Sequence, residues 1–248
     1  MLKDNLAAIA ARTLVATLAL ALAACGVRSI SDSGYRPERA ASRSEQPNPL
    51  YKGELSEFAA LGIDPNSKVT EEEIESSLQN RKRLSLRKGT SIMLLQSGAI
   101  SPDPPMVKAL ERYYNVSVFT GQPQAGLAPG DYSRLLRLTA AKAGAEKIVV
   151  YWGLLETAQK GMGTKTVSWI PVVGSVVPDE TQRMRILLRV AVVDVATGQW
   201  DMFTPEPFED SATSSSVGRE ASDQGQVALL KKKAYEAAAE DIVKRYAS

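Results

Sequence analysis

Few side chains of this chain are equipped for covalent or proton chemistry. It has one cysteine and no histidine in 248 residues. Cys25 sits near the end of the stretch LALALAACG, directly after Leu22, Ala23 and Ala24. A thiolate is a strong nucleophile, and two small neighbours leave room for a modifying enzyme. The missing imidazole closes Ser-His-Asp and Cys-His catalysis, which need it as base. It also removes the usual ligands of zinc hydrolases. Carboxylates are left as acid–base groups: Asp179, Glu180, Asp194, Asp201, Glu206, Glu209 and Asp210. Two suffice for a glycosidase, but these fall in turns and polar loops, where Asp and Glu belong anyway. No spacing singles out a pair.

Two further motifs fail on context. Gly161-Met162-Gly163-Thr164-Lys165-Thr166 has phosphate-loop composition, but Thr164 stands where the loop needs Lys, and no helix follows. Ser85-Leu86-Arg87-Lys88 fits S-x-x-K without the S-D-N and K-T-G elements that accompany it in penicillin-binding enzymes. The reading is of no catalytic residues, no metal and no cofactor.

The flanks of Cys25 give its thiol a use. Lys3 and Arg12 precede an almost unbroken Leu, Val and Ala run from Thr13 to Ala24. That run is shorter than the ~20 residues of a membrane span and suits the apolar region of a secretory signal. Leu22-Ala23-Ala24-Cys25 resembles a bacterial lipobox, in which the thiol receives a diacylglycerol and cleavage leaves cysteine as the new N-terminus. Each buried CH₂ of such acyl chains adds ~0.8 kcal/mol of membrane affinity. Gly26 stands where enterobacterial inner-membrane lipoproteins carry Asp, which favours outer-membrane delivery. Residues 1–24 therefore read as a lipoprotein signal peptide.

About 220 residues remain, enough for one domain and a tail. The chain carries a net +2; residues 1–24, with Lys3, Arg12 and Asp4, account for one unit of it. A nucleic-acid binder would show a strong basic excess, so nucleic acid is not expected as a partner. Residues 25–50, rich in Ser, Arg, Glu and Pro, bury too little to fold and read as a flexible tether. Residues 51–248 read as one domain, with a helical extension over 51–88 and a core over 89–248.

Local patterns fill in the elements. Leu50 to Leu61 predicts a short helix. Thr70-Glu71-Glu72-Glu73 predicts a capping box opening a helix that ends near Gln79. Arg81, Lys82, Arg83, Arg87 and Lys88 then cluster as a solvated surface or a patch for an anionic partner. Ser91–Gln96, Val116–Phe119 and Lys147–Leu155 read as strands. Between them lie helices near Pro105 to Tyr114 and from a cap at Asp131 to a stop at Gly144, the latter with Tyr132, Leu135, Leu136, Thr139 and Ala143 on its apolar face. Thr181 to Val195 alternates, with Met184, Ile186, Leu188, Val190 and Val192 inward and Arg183, Arg185 and Arg189 on a wet face. A turn at Asp194–Gly198 leads to a hairpin partner at Gln199–Thr204. Pro205 to Gly225 reads as a loop, and Gln226 to Tyr246 as a closing helix with Glu240–Lys244 and Asp241–Arg245 pairs. Crossover helices in the first half predict parallel strands and the second half adds antiparallel ones. The fold class is α/β, a single domain with a mixed sheet flanked by helices.

Ala143 to Gly153, AGAEKIVVYWG, resembles the helix–GAD–strand–Gly step of the CsgG-like and LpoB-like outer-membrane lipoproteins, with Glu146 for the usual Asp. Val190 to Gln199, VAVVDVATGQ, resembles their Asp-x-x-Thr-Gly hairpin. The resemblance runs from about Thr90 to Tyr246. It implies a non-catalytic lipoprotein, anchored in the outer membrane through Cys25 and facing the periplasm, that binds or assembles with envelope proteins. The apolar stretch holding Trp169, Ile170, Val172, Val173, Val176 and Val177 is the expected partner-contact loop. The alternatives are an oligomeric component of a secretion or surface assembly, with homo-oligomers as its form, and a carboxylate-dependent cell-wall or peptide hydrolase. Replacing Cys25 by Ala should move the protein from the membrane pellet to the soluble fraction and remove metabolically incorporated palmitate.

Overall fold

The structure, a computed structural model, describes residues 29–32, 48–81, 83–160, 167–171, 181–213 and 219–247. Its frame is a pair of fourteen-residue strands, β3 (Lys147–Lys160) and β5 (Thr181–Asp194). They run antiparallel in register, from Lys147 opposite Asp194 to Thr157 opposite Met184. β1 (Ser91–Ser97) pairs parallel with the first half of β3, and β2 (Asn115–Gly121) pairs parallel with the outer side of β1. β4 (Val167–Pro171) continues along the same edge of β3 beyond β1. On the other side, β6 (Trp200–Phe203) and β7 (Phe208–Thr213) share the edge of β5 end to end. The result is a mixed seven-stranded sheet whose long path is β2-β1-β3-β5-β6.

Strand period decides which side chains meet. Even positions of β5 from Met184 to Val192, with Ile92 and Leu94 of β1 and Val149 and Tyr151 of β3, build one face of the core. Two helices close that face: α3 (Pro104–Glu111) with Met106, Ala109 and Leu110, and α5 (Arg219–Tyr246) with Leu230, Tyr235, Ala238 and Ile242. Met93, Leu95, Ile148, Val150 and Trp152 point the other way, under α1 (Glu57–Leu61) and α4 (Pro129–Lys142). α2 (Glu71–Gln79) carries the expected capping box, Thr70 with Glu73, and has no buried residue. The α/β class, the mixed sheet and the flanking helices are as the sequence predicts.

Several boundaries differ for physical reasons. The first helix covers only Glu57–Leu61, because Tyr51 to Leu55 is used to pack against the end of β1. Asp131 does not cap α4, which starts at Pro129; it pairs with Arg134 in the first turn. Leu135 is exposed, and the face of α4 that packs is Tyr132, Ser133, Leu136 and Ala140. The polar stretch after Pro205 contains β7, and α5 begins seven residues before Gln226, at Arg219. Sheet pairing with β5 holds β7 as a strand despite its low apolar content.

The largest departure is in the tether. Ser29 to Asp32 is not free chain: Ser29 bridges Leu154 antiparallel, and the Ile30 N–H donates to the Gly153 carbonyl at 3.0 Å. This contact fills the gap on β3 between β1 and β4. Ile30 is 1% exposed and joins the α5-side core, a burial that stabilises by about 1.5–3 kcal/mol. Position 153 must be glycine for this. A Cβ there would stand 2.6 Å from Ile30 Cδ1 and 2.9 Å from Leu188 Cδ2. Gly153→Val should therefore lower stability by about 1–3 kcal/mol, read as a lower urea midpoint at unchanged slope.

Candidate functional site

The usual place to look in an open α/β sheet is beyond the carboxyl ends of the parallel strands, where strand order reverses. Here that point lies between β1 and β3, and the chain itself occupies it. The Ser31 hydroxyl donates to the Ser97 carbonyl, and Gln96 Nε2 donates to Ser31 Oγ at 3.0 Å. The Leu55 N–H donates to Ser97 Oγ at 2.7 Å, and the Trp152 indole donates to the Leu55 carbonyl at 2.7 Å. Below them, Tyr151 and the Asp103 N–H both donate to Gln96 Oε1. Tyr235 and Lys231 bond the Asp103 carboxylate at 2.6 and 2.9 Å. Burial, then the Asp103 charge, pushes the Tyr151 phenol well up; burial, then Tyr151 and Asp103, does the same to Tyr235. Both stay neutral, and the network works as a sealed plug.

The open site is at the opposite end of the sheet. A groove of about 720 Å³ lies between the C-terminal turn of α2, the β5–β6 turn and the end of α5. Each wall has a local cause. The capping box fixes the start of α2, and its C-cap Asn80 offers a carbonyl that accepts from Gln199 Nε2 at 3.0 Å. The β5–β6 turn is wound around Asp194. Its Oδ1 accepts from the Thr197 N–H and hydroxyl at 2.7 and 2.9 Å, and Oδ2 takes Lys147 Nζ at 2.9 Å. Gly198, at φ 75°, completes that turn in the left-handed region. Trp200 follows, 44% exposed.

The floor is made by Asp201, which accepts from Tyr246 Oη at 2.9 Å and Arg245 Nε at 3.2 Å. Arg245 also lies 4.9 Å over the Phe203 ring. It therefore turns to β6 rather than to Asp241, while Lys244 reaches Glu240 at 3.9 Å as expected. Arg81 and Arg83 line the rim, and neither has an ion-pair partner among the described residues. Arg81, Arg83 and Arg245 thus line one groove with a single carboxylate, Asp201, which already accepts from Arg245 and Tyr246. That arrangement suits an anionic ligand, with Trp200 as an apolar platform.

The structure separates the other expected site residues. Trp169 and Ile170 lie in β4, opposite Ala158 and Thr157 of β3. Val172, Val173, Val176 and Val177 lie outside the described residues, as do Leu22, Ala23, Ala24 and Cys25. The basic cluster divides: Arg81 and Arg83 face the groove, Lys88 sits 5.5 Å over the Tyr113 ring, and Lys82 lies outside the described residues. The arginine face of β5 is only partly wet. Arg185 Nε meets Glu156 Oε2 at 2.6 Å, and Arg189 pairs with Glu57 of α1.

The carboxylates have structural tasks. Burial opposes ionisation of Asp194, but hydrogen bonds from Lys147 and Thr197 outweigh it and hold the carboxyl below its ordinary value. Burial likewise opposes ionisation of Asp201, and Tyr246 and Arg245 outweigh it. A general acid needs the reverse shift. Asp179 and Glu180 lie outside the described residues, Glu206 is exposed, and Glu209 and Asp210 stand opposite Arg185 and Met184 in β7. Among the described residues no group of three His, Cys, Asp or Glu is placed to hold a metal. Trp200 and Tyr246 carry no site signal in the sequence, and Arg245 enters it only as the expected partner of Asp241. Their only mark is position, at a hairpin after Thr-Gly and at the end of a helix.

Lowered carboxyls contribute stability that is present above the unfolded carboxylate value and is lost as pH falls through the folded one. Acid should thus destabilise the domain first at the β5–β6 turn. Asp194→Asn should cost about 1–3 kcal/mol at neutral pH and flatten the dependence of the urea midpoint on pH below 4.

Comparisons with known proteins place the chain. A search of curated proteins finds no match. Among solved structures, the hypothetical protein CT253 from Chlamydia trachomatis aligns at 14% identity and a TM-score of 0.35, covering 65% of this chain and 99% of that one. This likeness is too low to carry an argument. No helix among the described residues is long and apolar enough to cross a membrane. Residues 56–245 match the family described as YafT bacterial lipoprotein. That span takes in both long strands, the first four described helices and the fifth as far as Arg245, and every described residue lining the groove except Tyr246, so the chain belongs to the YafT bacterial lipoprotein family.

Proposed function

We propose that the protein is a non-catalytic binding module of the bacterial envelope. Lipid on Cys25 anchors it in the outer membrane, the domain faces the periplasm, and the α2/β6 groove takes an acidic segment of an envelope protein. The observation that carries this reading is the unpaired charge of Arg81 and Arg83 beside the exposed Trp200. Charged side chains without partners at a concave site raise the local concentration of an opposite charge. An exposed tryptophan beside arginine is the composition of interface hot spots.

A second reading, assembly with further copies of the chain, is favoured by β2. It is an edge strand of the sheet and exposes Val118 at 50% and Phe119 at 37%. An edge of this kind can pair with another strand. Nothing observed favours a hydrolase, since Asp194 and Asp201 are already tied to cations and hydroxyls.

A photoreactive amino acid at Trp200 should crosslink one envelope protein in intact cells. Arg81→Glu with Arg83→Glu should lower that adduct about tenfold, as two exposed ion pairs of about 0.5–1 kcal/mol each would imply. Equal adducts from both proteins would remove the groove from the reading. Particles larger than a monomer in detergent, lost on Val118→Lys, would favour assembly instead.

A further inference from the structure

The segment just after the lipobox is built into the sheet. Only three residues lie between Cys25 and Ser29. The bonds that hold this segment are several and come from distant elements. Ser29 bridges Leu154, and the Ile30 N–H bonds the Gly153 carbonyl at 3.0 Å. The Ile30 carbonyl accepts from Lys231 Nζ of α5 at 2.7 Å. Ser31 accepts from Gln96 Nε2 at 3.0 Å and donates to the Ser97 carbonyl. Ser29 and Ile30 are 2% and 1% exposed. The sequence also shapes the receiving surface, because the missing Cβ at Gly153 leaves the space that the Ile30 side chain fills.

We infer that Ser29–Asp32 is a clip that keeps the domain on a short leash at the membrane. The inference rests on the reading of Cys25 as the lipid anchor. A chain spans at most ~3.6 Å per residue, so the four steps from Cys25 to Ser29 reach about 14 Å. Without the clip, the first described residue to hold the domain would be Asn48, at a reach of about 80 Å. The clip thus converts a long tether into contact range with the bilayer surface, at a height that does not depend on how many residues separate Asp32 from Asn48. The lipid surface is then a neighbour of the domain, on the side where Ser29 leaves β3 towards β4.

Insertions separate the two geometries without touching the fold. Full-length acylated protein is placed in phosphatidylethanolamine–phosphatidylglycerol vesicles with an acceptor dye on the headgroups. A donor dye goes on Lys52→Cys, an exposed position beside Tyr51 near the clip. Ten Gly/Ser residues are inserted between Gly26 and Val27, or between Arg39 and Ala40. With the clip in place, the first insertion should lower energy transfer at least twofold and the second should leave it unchanged. Equal effects of the two insertions, or no effect of either, would overturn the clip. As a second measure, Ser29→Cys with Leu154→Cys should crosslink under mild oxidation in the same vesicles; no crosslink would also overturn it. A Cys25→Ser protein that still floats with vesicles would overturn the anchor reading itself, which the insertion results do not touch.

Discussion

Side-chain period is two in a strand, so sliding β3 against β5 by one residue would exchange every inward and outward group. The two fourteen-residue strands are locked against this by their ends. Lys147 meets Asp194 at one end of the ladder, and Glu156 meets Arg185 towards the other. Between these pairs the ladder carries Val149, Tyr151, Val190 and Val192 to one face and Ile148, Val150, Ala191 and Val193 to the other. Everything else is added to that register: β1 and β4 along β3, β2 outside β1, two short strands along β5, and a layer of helices on each side. Both ion pairs are largely buried, with 10–21% side-chain exposure. Removing one partner leaves a largely buried charge without its counter-ion, which makes these pairs costly to break and effective at fixing alignment.

Register also explains how the two ends of the sheet come to differ. At the carboxyl end of β1, the Ser97 carbonyl and hydroxyl that would greet a ligand are already bonded to Ser31 and Leu55. At the other end, the Asp194 turn and the end of α5 leave a concave basic surface with an exposed indole. The fold thus closes the location where open α/β sheets usually bind small molecules and leaves a basic groove open at the other end. α2 belongs to this second end. It buries nothing and is held by its capping box and the Gln199–Asn80 bond, so its position is set by the groove rather than by the core.

Much of the frame was legible because it is written in period. Met184 to Val192 alternates in sequence and is buried at every second position. The capping box at Thr70 reads directly from residue types, since both of its hydrogen bonds are local. What was not legible depends on distant partners. β7 has the composition of a loop and becomes a strand only because β5 has a free edge there. Ile30 is one apolar residue in a polar stretch, and its burial is decided by a glycine at position 153. The groove unites residues 81, 200 and 245, which no spacing rule connects. Composition correctly describes most of the segment after Cys25 as poor in core-forming residues, yet four residues of it suffice for docking when a strand edge is waiting.

The Lys231–Ile30 bond joins positions 201 residues apart. Contacts this far separated in sequence carry the largest loop-closure entropy and are the slowest to form. Its donor lies in the last helix, so the N-terminal segment can seat only after the rest of the chain has emerged and α5 has packed. During export and synthesis the first residues appear first but settle last. On the anchoring proposed above for Cys25, the thiol would stay reachable to modifying enzymes until this contact closes, and the short leash to the membrane would form as the last step of folding.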